Sequence, residues 1–201
     1  VYKRQIKTVL EKNKLDGIDL DFEWAENEKE YKDYSLAILK MREVLGDKYL
    51  FSVSLHPVCY KISKEAIEAV DFISLQCYGP SPVRFPIEKY CSDIQMVLEY
   101  GIPKEKLVAG VPFYGVTKDN SKKTEAYFNF VQNGLVTSPA QNEVIYQGDT
   151  YVFDGQDNIR IKTRYAKEQK LKGMMSWDLA TDLPLSDSRS LLKTMTEELR
   201  E

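Results

Sequence analysis

Leu15-Asp16-Gly17-Ile18-Asp19-Leu20-Asp21-Phe22-Glu23-Trp24 is the stretch that decides the fold of this chain. From Gly17 onward apolar and acidic residues alternate strictly, with Ile18, Leu20 and Phe22 facing one way and Asp19, Asp21 and Glu23 the other. A period of two residues is typical of a β-strand. The stretch, from Gly17 to Trp24, therefore predicts a strand with one apolar face and one acidic face.

The acidic face places three carboxyl groups close together. A strand rises about 3.3 Å per residue, so acids two residues apart lie about 6.6 Å from each other. Two charges about 6 Å apart repel by about 2.8 kcal/mol at an effective dielectric constant near 20. We therefore expect at least one of these carboxyl groups to keep a proton near neutral pH, as general acid catalysis requires.

Two other interpretations of the acidic face are a solvated strand surface and a calcium-binding loop. In a parallel sheet covered by helices, the apolar face packs under the helices and the acidic face points inward, away from solvent. A calcium loop needs a Gly at its sixth position and a Glu at its twelfth, whereas these acids alternate with bulky apolar residues. The sequence predicts neither a metal site nor a cofactor.

The rest of the chain alternates between strand and helix patterns. Five strands are predicted, with starts near residues 16, 50, 72, 107 and 173. Predicted helices cover residues 1–14, 31–45, 86–100, 158–171 and 187–200, with a short one that starts after Ser63. Strands that alternate with helices predict an α/β fold with parallel strands.

If the parallel strands form a TIM-type (β/α)8 barrel, the chain covers only about its last five strand-helix units. A closed barrel takes about 250 residues, so we expect the first three strands to lie upstream of Val1 in a parent chain. Residues 1–201 are interpreted as one partial catalytic-barrel domain. A small insertion at about 117–157 is predicted to hold a helix near 125–132 and a hairpin that turns at Gly148-Asp149.

Composition excludes several classes of partner. Lys plus Arg number 28 and Asp plus Glu number 31, and no block of like charge predicts nucleic-acid or membrane binding. No apolar run approaches the roughly 18 residues of a membrane span. Three cysteines and a single histidine, His56, predict free thiols and no zinc site, and His56 receives no functional role.

The acidic strand resembles the D-G-x-D-x-D-x-E signature on the fourth barrel strand of family 18 glycoside hydrolases, the chitinases and endo-β-N-acetylglucosaminidases. Three later segments match the sixth, seventh and eighth strands of that family in order: Phe72-Ile73-Ser74-Leu75-Gln76-Cys77-Tyr78, Gly110-Val111-Pro112-Phe113-Tyr114-Gly115 and Gly173-Met174-Met175-Ser176-Trp177-Asp178. The resemblance spans nearly the whole chain.

The resemblance implies a retaining glycosidase in which the substrate's own 2-acetamido carbonyl attacks the anomeric carbon. Glu23 would then be the general acid and later the base. Asp21 would hold the acetamido N–H, and Asp19 would share a proton with Asp21 deeper in the barrel. Tyr78 would donate its hydroxyl to the acetamido carbonyl. The implied substrate is a polymer or oligomer of β-1,4-linked N-acetylglucosamine.

The resemblance also implies a sugar-binding surface. Trp177 would form the floor under the sugar at the cleavage point, since pyranose C–H groups stack on an aromatic face. Gln76 points the same way as Tyr78 by strand alternation and would contribute its amide. Tyr114 and Trp24 are further candidates for the cleft wall. For each aromatic residue the alternative is simple packing in the core.

Two positions depart from the family pattern. Gly79 stands where the family has Asp or Asn, and Val116 stands where many members have Arg. These departures affect the expected chain-length preference and turnover rate. Three alternatives stay open for the chain: a chitinase, a weakly active or inactive carbohydrate-binding protein, and an endoglycosidase for the chitobiose core of N-glycans. Because chitin and glycans lie outside most cells, we expect an extracellular or cell-envelope location.

Overall fold

The structure, a computed structural model, describes residues 2–200, with side chains from Gln5 onward. Its helices are α1 (Tyr2–Asn13), α2 (Glu28–Leu45), α3 (Lys64–Ala69), α4 (Ile87–Tyr100), α5 (Tyr127–Gln132), α6 (Gln156–Glu168) and α7 (Leu191–Arg200). Its strands are β1 (Gly17–Asp21), β2 (Leu50–Leu55), β3 (Phe72–Leu75), β4 (Leu107–Pro112), β5 (Tyr114–Thr117), β6 (Thr124–Ala126), β7 (Glu143–Tyr146), β8 (Asp149–Val152) and β9 (Gly173–Trp177).

The main sheet is parallel and has the strand order β1-β2-β3-β4-β9. Each pair is joined through helical segments, so the chain follows the alternating pattern that the sequence predicts. The five predicted strands are confirmed, and their starts agree within one residue. The sheet is open in the described chain, with β1 and β9 at its two edges.

Local signals in the sequence fix the ends of the helices. The Ser63 hydroxyl accepts a hydrogen bond from the Ala66 N–H at 3.2 Å and caps the start of α3. Asn27 caps α2 in the same way, by accepting from the Glu30 N–H at 3.1 Å. Gly101 ends α4 with a φ of 111°, a left-handed conformation that glycine adopts without strain.

A second, antiparallel sheet with the order β6-β5-β8-β7 is built between β4 and α6. The predicted helix and hairpin are both present here. The turn is one residue earlier than predicted, because Tyr146 pairs with Asp149 and the two-residue loop is Gln147-Gly148. Both loop residues have positive φ, as a tight hairpin of this length requires. The sheet also starts earlier than residue 117, at Tyr114, and the sequence did not predict β5 or β6.

The acidic strand is shorter than its pattern predicts. Pairing of β1 with β2 ends at Asp21, opposite Ser54, and residues 22–24 leave the strand. The prediction of a strand to Trp24 is therefore wrong over its last three residues. The same happens in β3, which ends at Leu75 although the pattern continues to Cys77.

The core lies between the main sheet and its helices. Its largest fully buried side chains include Phe51, Ile73, Tyr90 and Phe113. The three central strands are almost wholly buried, whereas the edge strands β1 and β9 are only partly buried. Packing on the central strands thus holds the sheet in place, and the sheet positions the ends of the edge strands.

Candidate active site

Three acidic side chains define the site at the carboxyl end of β1. The Asp19 carboxylate accepts hydrogen bonds from the Ser52 hydroxyl at 2.5 Å and the Ser54 hydroxyl at 2.7 Å. Both serines are buried residues of the neighbouring strand β2, where they lie opposite Asp19 and Asp21. Asp19 is therefore held in one position by two donors from the next strand.

Asp21 is held from farther along the sheet. The Gln76 side-chain amide, which lies just after β3, donates to the Asp21 carboxylate at 3.3 Å. Partial desolvation of the Asp21 carboxyl raises its pKa, and repulsion from Glu23 and then Asp19 raises it further, while the Gln76 hydrogen bond opposes the rise. A raised pKa at one member of the group agrees with the sequence expectation that close carboxyl groups favour a retained proton.

The sequence predicts that the three acids point inward, away from solvent, and the structure does not place them so. Asp19, Asp21 and Glu23 are all exposed in the described chain. The physical reason is that β1 is an edge strand of an open sheet. The Asp19 carboxylate nevertheless accepts hydrogen bonds from serines of β2, and the Asp21 carboxylate accepts one from Gln76 after β3, so these two acids lie over the sheet.

Tyr78 lies three residues beyond the end of β3 and is 7% exposed. Its hydroxyl donates to the sulfur of Met175 on β9, at 3.6 Å. Burial raises the pKa of Tyr78, and the nearby Tyr114, Asp21 and Glu23 act in the same direction. The phenol thus stays protonated at neutral pH, and its only hydrogen-bond acceptor among the described residues is a weak thioether.

A cleft between the two sheets contains the predicted sugar floor. Its lining residues are Pro80, Tyr114, Thr124, Glu125, Ala126, Trp177, Asp178 and Thr181. The Trp177 side chain is 54% exposed there. Tyr114 also contacts Tyr78 edge to face, with ring centroids 6.5 Å apart. Tyr114 therefore connects the Trp177 cleft with the residues around the acids.

Trp24 directly follows Glu23 in the segment after β1. Its ring stacks on the imidazole of His56, with centroids 4.9 Å apart and an interplanar angle of 26°. The Trp24 side chain remains 41% exposed. Sequence reasoning gave His56 no role, and no sequence signal links it to Trp24, because the two residues meet only when β1 and β2 pair.

Sequence reasoning also missed Ser52 and Ser54. A signal was present: the two serines are spaced two residues apart on β2, as Asp19 and Asp21 are on β1. The two family departures lie at different places. Val116 is fully buried in β5, and Gly79 directly follows Tyr78.

Neither a metal cluster nor a membrane-spanning helix is found among the described residues. Within residues 2–200 no set of three or more His, Cys, Asp or Glu side chains is arranged to hold a metal ion. Among the described helices, none is both long and apolar enough to cross a bilayer.

The family model for glycosyl hydrolases family 18 matches residues 1–182. The chain belongs to glycosyl hydrolase family 18. The family 18 resemblance of the strand segments is thus confirmed.

Known chitinases and a chitinase-like protein are similar to this chain at low sequence identity. A probable chitinase 2 from Drosophila melanogaster is 23% identical over 245 residues, covering 90% of this chain and 50% of the relative. The solved chitinase ChiB from Flavobacterium johnsoniae is 26% identical with a TM-score of 0.79, covering 98% of this chain and 64% of that one. A chitinase-like agglutinin from Robinia pseudoacacia has a TM-score of 0.77 at 19% identity, covering 96% of this chain and 70% of that one.

The similarity to these solved structures establishes the fold class of the chain. Its parallel sheet and helices are the last five strand-helix units of a TIM-type barrel. The chain spans about half the length of the Drosophila relative and under two thirds of ChiB.

Proposed function

We propose that the protein containing this chain hydrolyses β-1,4 bonds between N-acetylglucosamine units of chitin or chito-oligosaccharides. The observation that carries the proposal is the acidic group at the end of β1, with Asp19 fixed by two serine hydroxyls and Asp21 fixed by Gln76. Membership of family 18 supports the reaction class. No cofactor is required by this chemistry.

The proposed mechanism is substrate-assisted and retaining. Glu23, at the free end of the acidic group, protonates the glycosidic oxygen while the 2-acetamido carbonyl of the substrate attacks the anomeric carbon. The C–O bond to the leaving sugar breaks, and an oxazolinium ion forms. Glu23 then removes a proton from water, which attacks the anomeric carbon and regenerates the acetamido group.

Asp21 and Asp19 support the charge that develops on the substrate. Asp21 accepts the acetamido N–H and stabilises the cation, and Asp19 shares a proton with it. The raised pKa of Asp21 supports this sharing, because two carboxylates so close do not readily ionise together. The serine hydroxyls on Asp19 keep the pair in place without a further charge.

Tyr78 orients the internal nucleophile. The phenol is protonated and is bonded only to a thioether among the described residues, so a carbonyl oxygen is a better acceptor for its proton. We propose that the acetamido carbonyl replaces the Met175 sulfur as that acceptor. Gln76 keeps its bond to Asp21 and completes the amide-binding surface.

The cleft beside Trp177 binds the sugar rings. Exposed Trp177 offers a flat face for stacking, Tyr114 lines the same cleft, and exposed Trp24 next to Glu23 offers a second aromatic face. We propose that residues 1–201 act as one catalytic unit, with the second sheet as a wall of the cleft. We also propose that upstream strands of the parent chain close the barrel between β9 and β1.

A kinetic comparison tests the proposed function in the full-length protein. Glu23→Gln is expected to lower the rate on a fluorogenic chitobioside by at least about a hundredfold, the range of general acid catalysis. Glu28→Gln, which neutralises an exposed carboxylate on the first turn of α2, serves as the matched control and should leave the rate unchanged. Equal rates for the two variants would contradict the assignment of Glu23.

A second candidate function is sugar binding without turnover. Gly79 and Val116 favour it, because Gly79 lacks the Asp or Asn that contacts the sugar in the family pattern and Val116 lacks the Arg that would pair with that Asp. Tight binding of a chito-oligosaccharide by an unmutated protein that releases no product would support it. An N-glycan chitobiose core is the alternative substrate of the same chemistry, and release of glycan from a glycopeptide would distinguish it.

We propose an extracellular or cell-envelope location, because both candidate substrates are found there. Fractionation of the source cells would test it, and recovery only in the cytosol would contradict it.

A further inference from the structure

His56 is the one histidine of the chain, and it occupies a buried position against Trp24, the residue after Glu23. It directly follows β2 and is 6% exposed. Its backbone carbonyl accepts from the Cys59 N–H at 2.7 Å, which closes a tight turn over residues 56–59. The turn therefore lies between the end of β1 and the end of β3, where Glu23 and Tyr78 are found.

The hydrogen bonds of the imidazole ring fix its tautomer. The Val58 N–H points at Nδ1 at a distance of 3.2 Å, so Nδ1 must be the acceptor and carries no proton. In the neutral ring the proton then lies on Nε2. Nε2 is 3.1 Å from the Tyr78 carbonyl oxygen, to which it donates. The ring thus connects its own turn to the backbone of Tyr78.

The same turn also holds the segment that carries Glu23. One face of the imidazole stacks on Trp24, the residue after Glu23. The Ala25 N–H donates to the Cys59 sulfur at 3.1 Å, at the other end of the turn. Residues on the β1 side and on the β3 side are therefore held by a single four-residue turn.

We propose that His56 is a positioning residue, which fixes the Glu23–Trp24 segment relative to Tyr78 through the Trp24 stack and the Nε2–H bond. This inference rests on the proposed function for its effect on rate. It assigns no proton transfer to His56, since neither ring nitrogen is free to reach a substrate. A small misplacement of reacting groups is enough to reduce a rate about a hundredfold.

The surroundings favour the neutral ring that this role needs. Burial lowers the pKa of His56, and the Arg84 cation lowers it further, with Lys89 acting the same way. The Tyr78 carbonyl and the Asp93 carboxylate act in the opposite direction. Protonation would place an N–H at Nδ1 against the Val58 N–H, so the charged ring would lose this bond.

Two substitutions separate the hydrogen bond from the volume of the ring. His56→Gln places an amide N–H near the position of Nε2, whereas His56→Leu keeps only apolar volume. On the chitobioside, we expect His56→Leu to lower kcat about ten- to a hundredfold with KM changed less than about threefold. His56→Gln should recover most of kcat. A fall confined to KM, or the same loss in both variants, would overturn the proposal.

Gln156→Leu is the matched control for a merely structural effect. Gln156 is as buried as His56, at 7% exposure, and donates to the Ser188 carbonyl and the Thr194 hydroxyl, which are both remote from the acids in sequence and on the α7 side. Its loss should lower stability and leave kcat unchanged. A loss of kcat equal to that of His56→Leu would show that any buried polar deletion has this effect, against the proposal.

A spectroscopic measurement tests the arrangement without relying on turnover. In the full-length protein with ¹⁵N-labelled histidine, the resonances absent from His56→Leu belong to His56. We expect the Nε2–H tautomer at pH 7 and titration below the ordinary value of about 6.5. The Nδ1–H tautomer would refute the positioning role even in an active enzyme. If the unmutated protein releases no product, the proposed function fails, and the tautomer still decides the arrangement of His56.

Discussion

Lys162→Met should strongly destabilise the protein, because it breaks a fully buried ion pair. The Lys162 ammonium lies 2.5 Å from the Asp154 carboxylate, and both side chains are 0% exposed. Asp154 follows the second sheet and Lys162 lies on α6, so the pair joins two parts of the chain. Removing the cation leaves Asp154 with the Asn158 amide as its remaining partner among the described side chains.

The expected loss is about 3–5 kcal/mol, the usual cost of leaving one member of a buried pair unpaired. For a domain of this size the melting temperature should fall by about 6–20 °C. Lys64→Met is the matched control, since Lys64 is 85% exposed and 3.9 Å from Glu68. That surface pair should contribute less than about 1 kcal/mol.

The loss should depend on pH in a defined direction. Burial raises the pKa of Asp154, and the Lys162 cation opposes the rise, so Lys162→Met raises this pKa further. When the pKa of a carboxyl group is higher in the folded state than in the unfolded state, the folded state becomes less stable as the pH rises above the unfolded-state pKa, near 3.9. The variant should therefore lose more stability at pH 7 than at pH 5.

Urea unfolding at both pH values measures the effect. Adding Asp154→Leu to Lys162→Met should recover most of the lost stability, because an apolar pair of similar volume needs no compensating charge. A loss below about 1 kcal/mol for Lys162→Met, or a larger loss at pH 5 than at pH 7, would refute the reasoning.

Two further predictions concern the active site. Tyr78→Phe removes the phenol proton and keeps the ring, so kcat on the chitobioside should fall about ten- to a hundredfold with little change in melting temperature; an unchanged kcat in steady-state assays would contradict its orienting role. Gln76→Leu removes the donor that opposes the raised pKa of Asp21, so the inflection that Asp21 governs in kcat/KM should move to higher pH; a shift to lower pH would reverse the sign of the argument.

Alternation and capping signals were sufficient to predict the main sheet. The five strands start where the apolar runs start, and Ser63, Gly46 and Gly101 mark helix ends as their residue types predict. The pattern could not show where β1 stops. Pairing ends at Asp21 opposite Ser54, and a strand cannot continue beyond its ladder even when the residues still alternate.

The second sheet was only partly predictable. The hairpin was visible because a Gly lies between two runs of β-branched and aromatic residues. Strands β5 and β6 are short, and the polar residues 118–123 between them hide the pairing. The turn there has positive φ at Asn120 and Lys122, a conformation that no residue type in that stretch signals strongly except Asn.

The candidate site was also only partly predictable from the sequence. The acids were found because their spacing lies within one strand. Ser52 and Ser54, the partners of Asp19, lie on the next strand, and His56, the partner of Trp24, directly follows it, so these contacts depend on the register between β1 and β2. Register is a property of the folded sheet, so local sequence patterns do not reveal it.

Substrate discrimination tests the central claim most directly. The full-length protein would be assayed on matched fluorogenic chitobioside and cellobioside, which differ in the 2-acetamido group. Because the nucleophile belongs to the substrate in this account, the chitobioside should be cleaved and the cellobioside should yield no product above background. Comparable rates on the two would mean that the acetamido group is not the nucleophile and would contradict the account.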